Sequence, residues 1–189
     1  MILPVPKIDQ ERKGREKVRA LSRLARAALR QSCEKCGLVL DTLPKDDKGV
    51  PQPVNGVYWS LSHKPEIAGG VAAGLPVGLD LETIRPVRAA LQGKVGDADE
   101  WRLVDGRTDR TFFRFWTAKE AVLKAVGQGM VGLSRCRIIA IADDTHMTLS
   151  YDGVPWPVEH CWFGRHVAAI TIHDFIVDWQ FIANDTFPP

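Results

Sequence analysis

Two stretches of the chain carry apolar residues at a helical period, and most of the remainder alternates at a strand period. From Glu11 to Cys36 helix formers dominate and proline is absent, which predicts one long helix. Val18, Leu21, Ala25 and Ala28 form an apolar stripe along it. Arg19, Arg23, Arg26 and Arg30, spaced four, three and four apart, form a basic stripe. A second strong helix spans Thr111 to Val126 and is ended by Gly127, Gly129 and Gly132.

Between the helices, Asp41 to Gly56 reads as a loop, with Pro44, Gly49, Pro51, Pro53 and an Asn55-Gly56 turn. Strands are expected at Val57 to Leu61, Ile67 to Ala72 and Val77 to Glu82, then an irregular or helical connection from Pro86 to about Thr108. Beyond the second helix the pattern is all strand: Arg137 to Ala142, Met147 to Tyr151, Val158 to Phe163, His166 to Ile172 and Ile176 to Ile182. Trp59 to Ala73 and Trp162 to Ile172 echo each other, each a tryptophan-bearing strand, a turn and a small apolar strand. The expected class is therefore α+β, with two similar halves at 1–83 and 84–189 packed as one unit. A ligand site between such halves would be natural.

Composition adds bounds. A chain of 189 residues suffices for one domain or two small halves sharing a core. Its 45% hydrophobic and 25% charged residues are ordinary for a globular protein, and a net charge of +2 does not mark a general nucleic-acid binder. The first residues lack a secretory pattern, and the longest mildly apolar run, Ile67 to Leu79, is broken by four glycines and Pro76. A cytoplasmic protein is expected. Cys33 and Cys36 form a C-x-x-C that is either half of a zinc site or the last turn of a helix capped by Gly37.

Four segments offer chemistry. In Val77 to Glu82, a strand puts Val77, Leu79 and Leu81 on one face and Asp80 and Glu82 on the other. Two hard carboxylates beside a glycine suit Mg²⁺, and the same pattern suits a solvated acidic face. On the second helix, Phe112, Phe113, Trp116, Leu123 and Gly127 fall within roughly 80° of Glu120 at 100° per residue. A carboxylate on that apolar face needs a partner or a metal, because burying it alone is expensive. Lys124 follows one turn later, either as part of a site or as an ordinary Glu–Lys pair. Ser62, His63 and Lys64 could bind phosphate or simply populate the turn before Pro65. Lys48, beside Gly49, could grip phosphate from the loop or be solvated. The arginine stripe is a solvated face or a draw for anionic partners.

The order of these pieces, Ser62-His63, then Gly78-Leu79-Asp80-Leu81-Glu82, then Trp116-Thr117-Ala118-Lys119-Glu120 with Lys124, resembles the phosphopantetheinyl transferase superfamily over about Lys48 to Leu133. The resemblance is to its longer, surfactin-type branch, a monomer of two similar α+β halves forming a pseudo-dimer with the active site between them. It implies a short or missing first strand here. It implies Mg²⁺, or Mn²⁺, held by Asp80, Glu82 and Glu120, with coenzyme A as co-substrate and an apo acyl or peptidyl carrier protein as partner. It further implies Glu120 as base, Lys124 on the attacked phosphate, and Lys48, Ser62 and His63 on the phosphates of the 3′-phosphoadenosine part. The residues also admit a metal-dependent nuclease or a nucleic-acid-binding module using the basic helix. A restriction-type nuclease wants E-x-K on a strand, and a binding module gives no reason for Glu120 on an apolar face, so neither a nucleic-acid nor a membrane partner is expected.

Overall fold

A computed structural model of the chain describes residues 1–182, so the last seven residues of the expected second half lie outside the described residues. The elements run β1 (Ile2–Pro4), α1 (Lys7–Gln10), α2 (Gly14–Cys36), β2 (Tyr58–His63), β3 (Ile67–Ala73), β4 (Leu79–Thr83), α3 (Ala89–Val95), α4 (Ala98–Trp101), α5 (Asp109–Val126), a 3-10 stretch (Gly129–Arg135), β5 (Cys136–Ile141), β6 (His146–Tyr151), β7 (Val154–Phe163) and β8 (His166–Thr171). The strands build two antiparallel sheets, ordered β1-β3-β2 and β4-β8-β7-β6-β5. The class is α+β. Strand β4, N-terminal to the division at 83/84, hydrogen-bonds to β8 in the second sheet. Among the described residues no helix is long and apolar enough to cross a membrane.

Each sheet is covered by one long helix. Helix α2 lies on β2 and β3 and buries Leu21, Ala25, Ala28, Leu29 and Cys33. Val18, expected on that apolar stripe, is 58% exposed, while Ala20 and Leu21 beside it are buried. Residues 11–13, expected in the helix, precede it. Cys36 ends α2 as an exposed residue, and Gly37 caps it at φ 63, the left-handed geometry that glycine adopts most readily. Helix α5 starts at a Thr108–Thr111 capping box and packs Phe113, Phe115, Val122 and Leu123 against Leu149, Val158 and Val167 of the large sheet.

Two glycines let helix backbones lie directly on strands. A Cβ on Gly70 of β3 would sit 2.4 Å from Leu29 N of α2. One on Gly78, just before β4, would sit 1.8 Å from Ala121 O of α5. The side-chain space at Gly78, beside the carboxylates, is thus filled by the backbone of α5, which brings that helix against the acidic strand.

The strand expected at Ile176 to Ile182 does not form. That segment makes a single parallel bridge, Ile2 with Phe181, through Gln180 O and Ile182 N. Its alternation reflects Val177 and Trp179 packing on the core while Ile176 is 97% exposed, and β1 offers only three residues to pair with. The connection after Pro86 holds the short helices α3 and α4.

Candidate active site

Strands β2 and β4 face each other across the junction of the two sheets without sharing a ladder. Serine hydroxyls make the connection: Leu79 N donates to Ser60 Oγ at 3.0 Å, and Leu81 N to Ser62 Oγ at 3.2 Å. The Ser62 hydroxyl in turn donates to Asp80 Oδ1 at 2.9 Å. Ser62 is buried, so its oxygen is spent on holding β4 and aiming Asp80.

Beside this junction lies a cleft of about 370 Å³. Ser22 and Ala25 of α2, Lys45 of the loop, Leu61, Ser62 and His63 of β2, and Lys64 line one side. Asp80 and Glu82 of β4 and Trp116, Glu120 and Lys124 of α5 line the other. Asp80, Glu82, Glu120, Lys124, Ser62 and His63 are therefore brought together. Lys48 is not: it sits at the exposed tip of a small turn, its N–H bonded to Asp46 Oδ1, while Lys45 at the base of that turn reaches the cleft with Nζ 5.9 Å from the centre of the Trp59 ring. No sequence signal separates the two lysines, since the turn that decides between them is a tertiary feature.

The carboxylates of β4 are buried, not a solvated face: the side chains of Asp80 and Glu82 are 4% and 5% exposed. Asp80 Oδ1 pairs with Lys124 Nζ at 2.8 Å, and Lys124 also donates to Leu79 O at 2.9 Å. Glu82 pairs with Lys64 at 2.8 Å and Arg85 at 3.4 Å. Glu120 is placed differently from its expected position on an apolar face. Helix α5 is buried nearly all round, and Trp116, Glu120 and Lys124, spaced four apart, are the half-buried stripe that looks into the cleft. Glu120 has no ion pair among the described residues, and its pKa is raised by burial and then by the negative charge of Asp80. His63 is shifted the other way, lowered by burial and by Lys124 and Lys64, which favours its neutral ring.

The donor chemistry fits a hard divalent cation. Asp80 Oδ2 is buried without a hydrogen-bond partner, an arrangement that costs free energy unless something positive comes to it. Among the described residues no three His, Cys, Asp or Glu side chains form a closed ligand set, and lysines pair with Asp80 and Glu82. Cys33 and Cys36 stand at the last turn of α2, one buried and one exposed.

Sequence reasoning quoted Lys119 within the helix motif but gave it no role of its own. It lies on the face of α5 turned away from the cleft and pairs with Glu100 at 2.6 Å, both side chains 4% exposed. Glu100 also accepts from Ile138 N at 2.8 Å and Asp97 N at 2.9 Å. A lysine amid apolar residues on a helix was the available signal.

The cleft thus joins a buried acidic strand to a helix presenting glutamate and lysine one turn apart, with basic groups opposite, and Glu120 and Lys124 stand on a helix and not on a strand. The family model of the 4'-phosphopantetheinyl transferase superfamily matches residues 76–171, just over half of the chain and the whole of β4 and α5. The chain belongs to that superfamily. It is similar to 4'-phosphopantetheinyl transferase psf-1 of Bacillus pumilus, 34% identical over 92 residues, which covers 46% of this chain and 40% of the relative. HetI of Nostoc sp. (strain PCC 7120) is 34% identical over 91 residues, 44% of this chain and 38% of the relative. The corresponding enzyme gsp of Aneurinibacillus migulanus is 27% identical over 90 residues, 46% of this chain and 38% of the relative. The matches thus span about two fifths of the length of these curated relatives.

Proposed function

We propose that the chain transfers the 4′-phosphopantetheine arm of coenzyme A to a serine of an apo acyl or peptidyl carrier protein, releasing adenosine 3′,5′-bisphosphate. The observation that carries this reading is the cleft in which Asp80, with its unpartnered oxygen, Glu82, Glu120 and Lys124 meet. Asp80, Glu82 and Glu120 would hold Mg²⁺, or Mn²⁺, which accepts the same oxygen ligands. When bound, the ion would supply Lewis-acid polarisation of the coenzyme A pyrophosphate.

The chain's own residues do the rest. A serine hydroxyl at its ordinary pKa is a poor nucleophile and needs a positioned base. Glu120 would serve as that base, since its carboxylate opens on the cleft and no lysine or arginine pairs with it among the described residues. It takes the serine proton as the serine oxygen bonds to the β-phosphorus and the bond to the bridging oxygen breaks. Lys124 holds positive charge where negative charge develops. Ser62 keeps Asp80 oriented, and His63 with Lys45 receives the phosphates of the 3′-phosphoadenosine part, Lys48 lying farther out on the same loop. The exposed arginines of α2, on the helix that supplies Ser22 and Ala25 to the cleft, would steer an acidic carrier toward it at low salt. In this reading the protein acts in the cytoplasm as a monomer whose two halves form a pseudo-dimer around the site.

Intact-mass spectrometry of several apo carrier proteins, incubated with the chain, coenzyme A and Mg²⁺, tests the reading. A gain of one phosphopantetheine, lost with EDTA, is expected, and no gain on any carrier together with no calorimetric binding of coenzyme A would end it. Asp80→Ala should weaken Mg²⁺-dependent coenzyme A binding at least about tenfold by calorimetry.

A further inference from the structure

Three carboxylates of the cleft, Asp80, Glu82 and Glu120, face three lysines, Lys45, Lys64 and Lys124. Two of these pairs are made within the protein itself. Lys124 belongs to the helix motif that matched the family, but Lys64 has no assigned part in the reaction. Its Nζ lies 2.8 Å from Glu82 Oε1, on a carboxylate that the transfer reading gives to the cation. The backbone of Lys64 is pinned: its N–H donates to Ile67 O at 2.8 Å and its carbonyl accepts from Ile67 N at 3.3 Å, closing the turn between β2 and β3. Only the four-carbon stem can move, and its ammonium is a point charge without the directional demands of a guanidinium. The side chain of Lys64 is 29% exposed and already lines the cleft.

Resting on the transfer reading, we propose that Lys64 is a counter-ion exchanger, which shares Glu82 with the more distant, largely exposed Arg85 until a divalent cation takes the carboxylate and then moves to a phosphate oxygen arriving with that cation. The physical reason is charge accounting in a poorly solvated cleft. A cation that binds alone must displace the ammonium from Glu82 and leave two positive centres close together. A polyphosphate that binds alone finds Lys64 and Lys124 already committed to carboxylates. When both bind, the cation takes the carboxylates, the lysines take phosphate oxygens, and every charge has an opposite neighbour. Cation and polyphosphate therefore bind with positive coupling, and by linkage each raises the affinity of the other by the same factor. Lys64 would in this way position the polyphosphate and suppress futile occupation by metal alone.

Calorimetry at pH 8 tests this with Mg²⁺ titrated into the protein alone and into the protein saturated with coenzyme A. Lys64→Met should bind Mg²⁺ alone about tenfold tighter than the wild type, and coenzyme A should raise its Mg²⁺ affinity by a smaller factor. Lys64→Arg, which keeps the charge at Glu82, should stay near the wild type. Lys64→Gln, polar and of similar reach, gives the same reading if the methionine variant does not fold. Unchanged or weaker Mg²⁺ binding by a folded charge-removing variant that still binds coenzyme A would overturn the exchanger and leave the transfer reading standing. Failure of the wild type to bind coenzyme A with or without Mg²⁺ would remove the transfer reading, and the role of Lys64 with it.

Discussion

Glu120 carries its chemistry through its surroundings. Burial and the neighbouring Asp80 raise its pKa, and no lysine pairs with it among the described residues. In metal-free protein the folded state then keeps the Glu120 proton at pH values where the unfolded chain, titrating near 4.5, has lost it. The native state binds more protons in that window, so stability falls as pH rises from about the ordinary carboxylate value to the raised one. Glu120→Gln should flatten this slope in urea melts taken across pH, the difference from the wild type removing the opposite-signed contribution of His63, whose pKa is lowered. The same variant should lose at least about 100-fold in transfer rate while melting cooperatively. Wild-type transfer by it would remove Glu120 from the mechanism. The shared strand face of Asp80 and Glu82 and the one-turn spacing of Glu120 and Lys124 were legible in the sequence, but a solvated acidic face and an ordinary Glu–Lys pair were equally legible, and only the packing of α5 on β4 gathers the four at one cleft. Lys45 was not legible, since only the turn at Asp46 to Gly49 brings it, in place of Lys48, to the cleft.

At the scale of elements, the approach of α5 to β4 makes the site. The helix carries Glu120 and Lys124, the strand carries Asp80 and Glu82, and Gly78 lets their backbones meet. A methyl group at position 78 would overlap Ala121 O, and backbone on both sides leaves no flexible side chain to yield. Gly78→Ala should cost about 3 kcal/mol in denaturant unfolding and displace α5 from the strand, weakening Mg²⁺-dependent coenzyme A binding although no ligating atom is removed. Full stability and binding would show that the contact is not needed. The helix and strand boundaries were legible to within a few residues because periodicity and caps are local. Strand β1 and helix α1, too short to show a period, were not read, and Ile176 to Ile182 shows where alternation fails: a period of two says which side chains are buried, not whether a partner strand is available.

For the molecule as a whole, the buried pair of Lys119 and Glu100 fixes how α5 is seated. Glu100 belongs to α4, accepts from the backbone of β5 at Ile138 and receives Lys119 from α5, so one carboxylate ties three elements together behind the cleft. Lys119→Met would leave Glu100 buried with only its backbone donors, and a loss of about 3–5 kcal/mol in urea unfolding is expected. A loss under about 1 kcal/mol would mean that water reaches Glu100. The sequence by itself determined the α+β class, the two long helices, the strand that carries Asp80 and Glu82, and the one-turn spacing of Glu120 and Lys124, because periodicity and capping are properties of short segments. Tertiary structure alone decided that β4 joins the second sheet, that Ser60 and Ser62 bridge it to the first, that Lys45 replaces Lys48 at the cleft, and that Lys64 and Lys119 hold buried carboxylates. Each of those outcomes depends on which distant segment satisfies a buried polar group, and no local pattern records that choice.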